Sequence, residues 1–365
     1  MTIFNIVLWF ILTATVYGGL FAVWIPLRKK DKIWISIAGI VAEIILACIC
    51  AYFDIVSVSL LPRFLYCFLA LLYTALLADA AAEIVFLIIR ILRKRAAKTI
   101  VRLVAGMVAA LLFLSYMVVN SQVVVPNYHT YKSSKLIRDH KIIYLSDLHY
   151  GHTQTKETVE QTFKNIKNEK PELLLLGGDI TDEFTSKEDM EYIYNLIGSL
   201  GIPTYFDYGN HDRQNHSYEI GGRTYSDSEL ENALKSNGIT ALRDEYTELG
   251  DLVILGREDY DCDRRIPVEK LKPRPSDKYV INLDHSPYQY DDISASGADL
   301  QLSGHVHAAQ LFPLRLIYTF AVDNIYGDYR SGNTDIYVSS GVSGWCFPLR
   351  SEAHCNYEVI TLKKG

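Results

Sequence analysis

The chain has 365 residues, 49% hydrophobic and 21% charged, with a mean hydropathy of +0.08 and a formal net charge of −6. The charge is unevenly placed, because residues 1–120 carry a net +6 and residues 121–365 a net −12. That split excludes a disordered chain, a collagen and a single soluble globule, and the acidic polar part argues against a nucleic-acid partner, since a phosphate backbone needs a basic face.

The first third reads as membrane. A spanning helix needs about 18 or more apolar residues with few charges. Residues 3–27 carry no charge, 33–53 carry only Glu43, 64–89 only Asp79 and Glu83, and 103–122 none. The sequence therefore predicts a transmembrane region over 1–120 with four helices, at about 3–27, 33–53, 64–89 and 103–122. Arg28, Lys29, Lys30 and Lys32 mark one cytoplasmic loop, and the basic stretch 90–102 marks another. The N-terminus then lies outside, and residues 121–365 form an extracytoplasmic domain of a multi-pass protein of the cell membrane. The first run is not a cleavable signal peptide, because it lacks a basic start and exceeds the length of a signal's apolar stretch. The basic stretch also admits a second reading, as a site for an anionic headgroup, so membrane lipid is an expected partner. Asp79 and Glu83 lie four apart on one helix face. They and Glu43 read either as proton or ligand sites, or as carboxyls that are protonated, hydrated or paired with nearby basic side chains. Cys48, Cys50 and Cys67 fall in the helices and Cys262, Cys346 and Cys355 in the polar part, where a Cys346–Cys355 bridge stays open.

After residue 120, short apolar runs alternate with amphipathic stretches. Strands are predicted at 141–146, 172–176, 202–208, 252–255, 279–283, 300–302, 335–339 and 357–362. Helices are predicted at 155–170, 187–200 and 227–235. Alternating strands and helices imply an α/β layered domain over 121–365.

In such sheets, function collects beyond the carboxyl ends of the strands. Five strand ends carry metal-type side chains: Asp147 with His149, Asp179 with Asp182, Asn210 with His211, then His285, then His305 with His307. A pair of divalent ions needs several N and O donors and a bridging carboxylate. Asp, His and one Asn suit Mn, Fe or Zn, of which none is selected by the sequence. Each piece alone is weak; five in order, each after an apolar strand, are a strong signal.

This order resembles the calcineurin-like metallophosphoesterase superfamily, whose signature runs Asp-x-His, Gly-Asp, Gly-Asn-His-Asp/Glu, a lone His, then Gly-His-x-His. The resemblance covers about 142–362, and the stretches 338–341, 348–350 and 359–362 are similar to its bacterial membrane-anchored branch. It departs at Gly304-His305-Val306-His307-Ala308-Ala309-Gln310, where that branch has Thr between the histidines and Gly-Gly before the Gln. The resemblance implies a layered β-sandwich flanked by helices and two divalent metal ions. One ion falls to Asp147, His149, Asp179 and His307, the other to Asp179, Asn210, His285 and His305, with Asp179 bridging. His211 is implied as the non-ligand histidine facing the leaving group, and Asp182 as the acid that orients it.

The implied reaction is hydrolysis of a phosphate ester or anhydride, by attack of a metal-bridging hydroxide with His211 as general acid. Membrane tethering turns the substrate expectation toward a phosphorylated small molecule or a lipid-linked envelope substrate. The competing expectation is a non-catalytic membrane receptor that binds a phosphorylated ligand through the same domain. His152 and His216 are further side chains within possible reach of substrate, and read more simply as loop residues.

Overall fold

Successive residues of a strand face opposite sides of its sheet, and the apolar residues of the polar domain obey that period. Ile143, Leu145, Leu174 and Leu176 pack on one side with Val159, Phe163, Met190, Ile193, Ile197, Leu230 and Leu234 from helices. Their neighbours Ile142, Tyr144, Leu173 and Leu175 pack on the other side, with Ile254, Ile281, Leu283, Leu300 and Leu302. The first side is a helix–sheet interface and the second a sheet–sheet interface.

The computed structural model describes residues 32–56, 63–95, 97–151, 153–213, 224–271, 275, 277–319 and 324–365. The chain divides into two compact units, Met1–Val119 and Asn120–Gly365.

The described part of the first unit is helical. It comprises α1 (Ile33–Val56), α2 (Arg63–Arg93) and α3 (Thr99–Asn120). Two stretches, Ile33–Ala51 and Thr99–Asn120, are long and apolar enough to cross a membrane. Four such helices were expected. The stretch 3–27 lies outside the described residues, and the expected span at 64–89 falls within α2 without meeting the same measure. α2 carries Asp79 and Glu83 mid-length, then Arg90 and Arg93. Both carboxyls are buried, and Glu83 is ion-paired with Arg102 of α3, whose Nε donates to Glu83 Oε1 at 3.1 Å. Of the alternatives open for Glu83, the structure therefore shows pairing with a basic side chain.

Among the described residues, the second unit holds two six-stranded sheets. The first runs β1 (Val124–Ser133), β12 (Cys355–Lys364), β2 (His140–Leu145), β3 (Leu173–Gly177), β4 (Thr204–Asp207), β5 (Ile239–Ala241). The second runs β10 (Gly327–Ser331), β11 (Thr334–Val338), β9 (Leu300–Ser303), β8 (Tyr279–Leu283), β7 (Leu252–Gly256), β6 (Glu245–Leu249). Strands β2, β3, β4 and β5 are parallel neighbours, as are β7, β8, β9 and β11. Helices α4 (Lys156–Asn168) and α5 (Lys187–Gly198), the four-residue α6 (Asn210–Arg213), and α7 (Asp227–Ser236) follow in chain order. Thr155, Ser186 and Ser226 cap α4, α5 and α7, the last with a reciprocal Glu229 capping box. The unit is an α/β two-sheet sandwich with helices on its outer face. Cys262 and Cys355 are free thiols, so the Cys346–Cys355 bridge left open by the sequence is not formed.

Candidate metal centre

The parallel arrangement brings the carboxyl ends of β2, β3, β4, β8 and β9 to one edge of the sandwich. Two groups of donors meet there. Side-chain atoms of Asp147, His149 and His307 lie within 4.8 Å of one another, and so do those of Asp179, His285 and His305. Asp179 reaches both groups: its Oδ2 is 2.9 Å from His285 Nε2 and 3.7 Å from His149 Nε2. Asn210 lies beside the second group, with Oδ1 2.9 Å from His305 Nδ1.

The turns that aim these side chains are strained. Asp147, His149, Asp179, His305 and His307 all have positive φ, between 44° and 73°. Non-glycine residues hold such angles only where the surroundings impose them, at about 1–3 kcal/mol each. The surroundings here are backbone ties and close packing. Asp147 N–H donates to Gly178 O at 3.0 Å, His149 N–H to Asp179 O at 3.0 Å, and His305 N–H to Asp147 Oδ1 at 2.8 Å. Gly209 has no side chain where one would run into the Asp179 carboxylate, and Gly341, at φ 79°, lets its backbone lie against Asp147.

The charge states suit cations. Burial opposes ionisation of Asp147 and Asp179, yet nearby histidines, His307 and His285 foremost, hold both carboxyls below the usual range. Burial, then the neighbouring His285, pushes His305 down to about 4, and burial pushes His307 down to about 3. Neutral imidazoles and ionised carboxylates are the forms that bind metal. His149 Nε2 and His307 Nε2 face each other at 3.2 Å. His307 Nδ1 sits 3.2 Å from Ser343 O, and a carbonyl accepts only from an N–H, so its Nε2 carries the lone pair. By the same logic His285 Nδ1 donates to Gly177 O at 2.8 Å and turns Nε2 toward Asp179. Burial pulls the His285 pKa down, but Asp179 and Asp147 outweigh it and raise it well above the ordinary value. A proton therefore stands where the carboxylates demand positive charge. This all-N/O donor set with a shared carboxylate fits a pair of divalent ions such as Mn, Fe or Zn.

His211 stands at the rim, outside both groups. Its backbone N–H donates to Asp179 Oδ1 at 2.8 Å, and its Nδ1 lies 2.7 Å from Glu183 Oε2. The acid that orients it is thus Glu183, where Asp182 was expected. Asp182 instead lies with Oδ2 3.2 Å from His149 Nδ1, so it orients a candidate ligand. The reason is local: Asp182 Oδ1 accepts the Phe184 N–H at 2.9 Å, which fixes that carboxyl inward and leaves the next residue to reach His211.

Three contributors escaped the sequence reading. Glu183 is one. Asp212 is another: its carboxylate accepts the backbone N–H groups of Asp179, Ile180, Thr181 and Gly209 at 2.6–3.0 Å, tying the turn after β3 to α6. The acid that ends Gly-Asn-His-Asp was visible, but nothing in its spacing showed a backbone staple. The third is Arg350, fully buried, whose guanidinium donates to the carbonyls of His307 (3.0 Å), Ser343 (2.8 Å), Ala353 (2.7 Å) and Ser340. It locks the turn that carries His307. His152 and His216 lie outside the described residues.

Residues 140–309 match the sequence profile of the calcineurin-like phosphoesterases. An uncharacterised metallophosphoesterase of Helicobacter pylori is 34% identical over 225 residues, 59% of this chain and 58% of that protein. The match thus spans little more than half of that relative. The metallophosphoesterase YkuE of Bacillus subtilis is 30% identical over 257 residues, 64% of this chain and 84% of its own. A transmembrane protein with a metallophosphoesterase domain from Danio rerio is 28% identical over 239 residues, 62% of this chain and 53% of its own. With residues 140–309 matched by the profile and a relative 30% identical matched over 84% of its own length, the chain belongs to the calcineurin-like metallophosphoesterase family.

Proposed function

We propose that this protein is a membrane-anchored hydrolase of a phosphate ester or anhydride, with its catalytic unit outside the cytoplasm and a lipid-linked or envelope substrate. The observation that carries the catalytic reading is the Asp179 carboxylate, shared between two donor groups, with the non-ligand His211 fastened beside it. Asp147, His149 and His307 would hold one divalent ion and Asn210, His285 and His305 the other, with Asp179 common to both. Bound there, such ions would supply Lewis acidity, lowering the pKa of water and offsetting charge on phosphate oxygens.

The chain's own residues do the rest. Burial pulls the His211 pKa down, but Asp179 and then Glu183 outweigh it and bring it up to about 10, which favours the protonated ring. Its Nδ1 is engaged by Glu183, which leaves Nε2 to donate its proton to the leaving oxygen. Asp182 and the Ser343 carbonyl fix the rings of His149 and His307.

Two apolar helices of spanning length, the basic loops between the apolar runs, and the transmembrane Danio rerio relative support the anchor and its orientation. An anchored site meets membrane-borne substrates at high local concentration, which favours a lipid-linked phosphate. The test uses full-length protein in detergent with manganese, assayed on lipid phosphates and pyrophosphates in mixed micelles against soluble nucleotide diesters. Preference for the lipids is expected. Exclusive hydrolysis of soluble substrates overturns the lipid assignment, and no hydrolysis of any of them overturns the whole reading.

A further inference from the structure

His211 is held between two rings. On one side the His149 ring meets it edge-on, with centroids 5.2 Å apart and planes at 75°. On the other side lies the indole of Trp345, with centroids 5.4 Å apart and planes at 39°. His149 belongs to the donor cluster. Trp345 does not, and it is partly exposed.

The position of Trp345 is built. Gln310 Oε1 accepts the Trp345 backbone N–H at 2.9 Å, and Gln310 Nε2 donates to the backbone carbonyls of Trp345 (3.2 Å), Phe347 (3.3 Å) and Leu349 (3.0 Å). Gln310 is itself fixed, since its carbonyl accepts Ser351 N–H at 3.0 Å and Glu352 N–H at 3.2 Å. One buried amide thus sets the course of the segment 345–352. A large, partly exposed ring is thus held beside the His211 imidazole.

We propose that Trp345 is the floor of a leaving-group subsite that selects flat, apolar leaving groups. The proposal rests on His211 as the proton donor to that group. Whatever is bonded to the leaving oxygen must pass alongside the indole. An aromatic or other flat apolar group stacks there and loses contact with water, and aromatic contacts of this kind carry specificity through geometry as well as area. Gln310 is the positioning residue of the subsite, and the indole is the surface the substrate touches.

Phenol and hexafluoroisopropanol are of closely similar acidity, but only the first is flat. The test therefore compares phenyl and hexafluoroisopropyl phosphates, each as monoester and as methyl diester, in full-length manganese-loaded protein, with wild type, Trp345→Ala and Trp345→Phe. Wild type should favour the phenyl substrates by about tenfold in kcat/KM, which corresponds to about 1.4 kcal/mol. Trp345→Ala should abolish that preference, and Trp345→Phe should restore most of it. Phenylphosphonate should inhibit wild type more strongly than methylphosphonate, and the two should become equal in Trp345→Ala. Equal loss on both leaving groups in Trp345→Ala, with metal content intact, overturns the subsite while leaving the hydrolase standing. A wild type that hydrolyses lipid phosphates or nucleotide diesters but none of these four substrates overturns the subsite and leaves the hydrolase standing.

Discussion

The two units place their polar and apolar side chains in opposite ways. In the helical unit, large apolar residues face outward: Ile45 is 53% exposed, Ile88 50% and Leu112 66%. The charged Asp79, Glu83 and Arg102 are buried instead. In the sandwich, the interior is apolar across both packing faces, and the buried Asp147, His149, Asp179, His285 and His307 gather where strands end. One rule covers both. A charged group leaves water only with a partner. In the helices the partner is another side chain, as Glu83 finds Arg102. At the strand ends carboxylates and histidines face one another, and the demand for positive charge is met by protons or by cations. The outward apolar surface of the helices is what a lipid solvent favours, while the inward polar cluster of the sandwich is what a metal site requires.

Substitutions test the contrast from both ends. The largest effect is expected at Asp179, the carboxylate common to both donor groups. Asp179→Asn should lower kcat/KM by roughly a thousandfold or more, since metal-centred stabilisation is worth several kcal/mol. Metal analysis should show lost ions while circular dichroism stays unchanged. Near-wild-type turnover would remove Asp179 from the centre.

Next comes the helical unit. Glu83→Ala leaves Arg102 buried without its carboxylate, and unpairing a buried charge costs about 3–5 kcal/mol. Thermal unfolding in detergent should show a clear drop in Tm for Glu83→Ala, and recovery in the double variant Glu83→Leu/Arg102→Leu. Turnover per folded molecule should not change. An unaltered Tm would mean that this pair is not insulated from water.

A smaller effect separates the acid on His211 from its neighbour. His211 must be protonated to act, so kcat/KM is present below its pKa and falls as pH rises through it. Cations in the centre offset Asp179, so that alkaline limb should lie between the ordinary value of about 6.5 and about 10. Glu183→Gln removes one raising charge and should move the limb down by roughly one unit, with kcat about tenfold lower. Asp182→Asn should leave the limb in place and weaken metal retention instead. If the two variants exchanged these effects, the assignment of partners would be reversed.

The parallel strands and the donors at their ends were legible because apolar runs ending in Asp, Asn or His are local patterns. So were α4, α5 and α7, each opened by a Ser or Thr cap. The edge strand β1 was missed: it contains Pro126, which lowers strand signal, and its pairing with β12 joins residues more than two hundred apart. Glu183 was missed because the choice between adjacent acids depends on which carboxyl a turn captures. Ala308 and Ala309, where the resemblance has glycines, hold φ at 51° and 60°, the left-handed region that glycine adopts most readily, and Gln310 behind them holds the rim. Such tertiary hydrogen bonds leave no periodicity to read.

The central claim is that the shared carboxylate organises two cations for phosphoester hydrolysis. Its most direct test is metal titration of the purified full-length protein, following bound ion and turnover together. Chelation should abolish hydrolysis, manganese or zinc should restore it, and recovery should be complete at two ions per chain. Undiminished hydrolysis in metal-free protein, or full activity at one ion per chain, would contradict it.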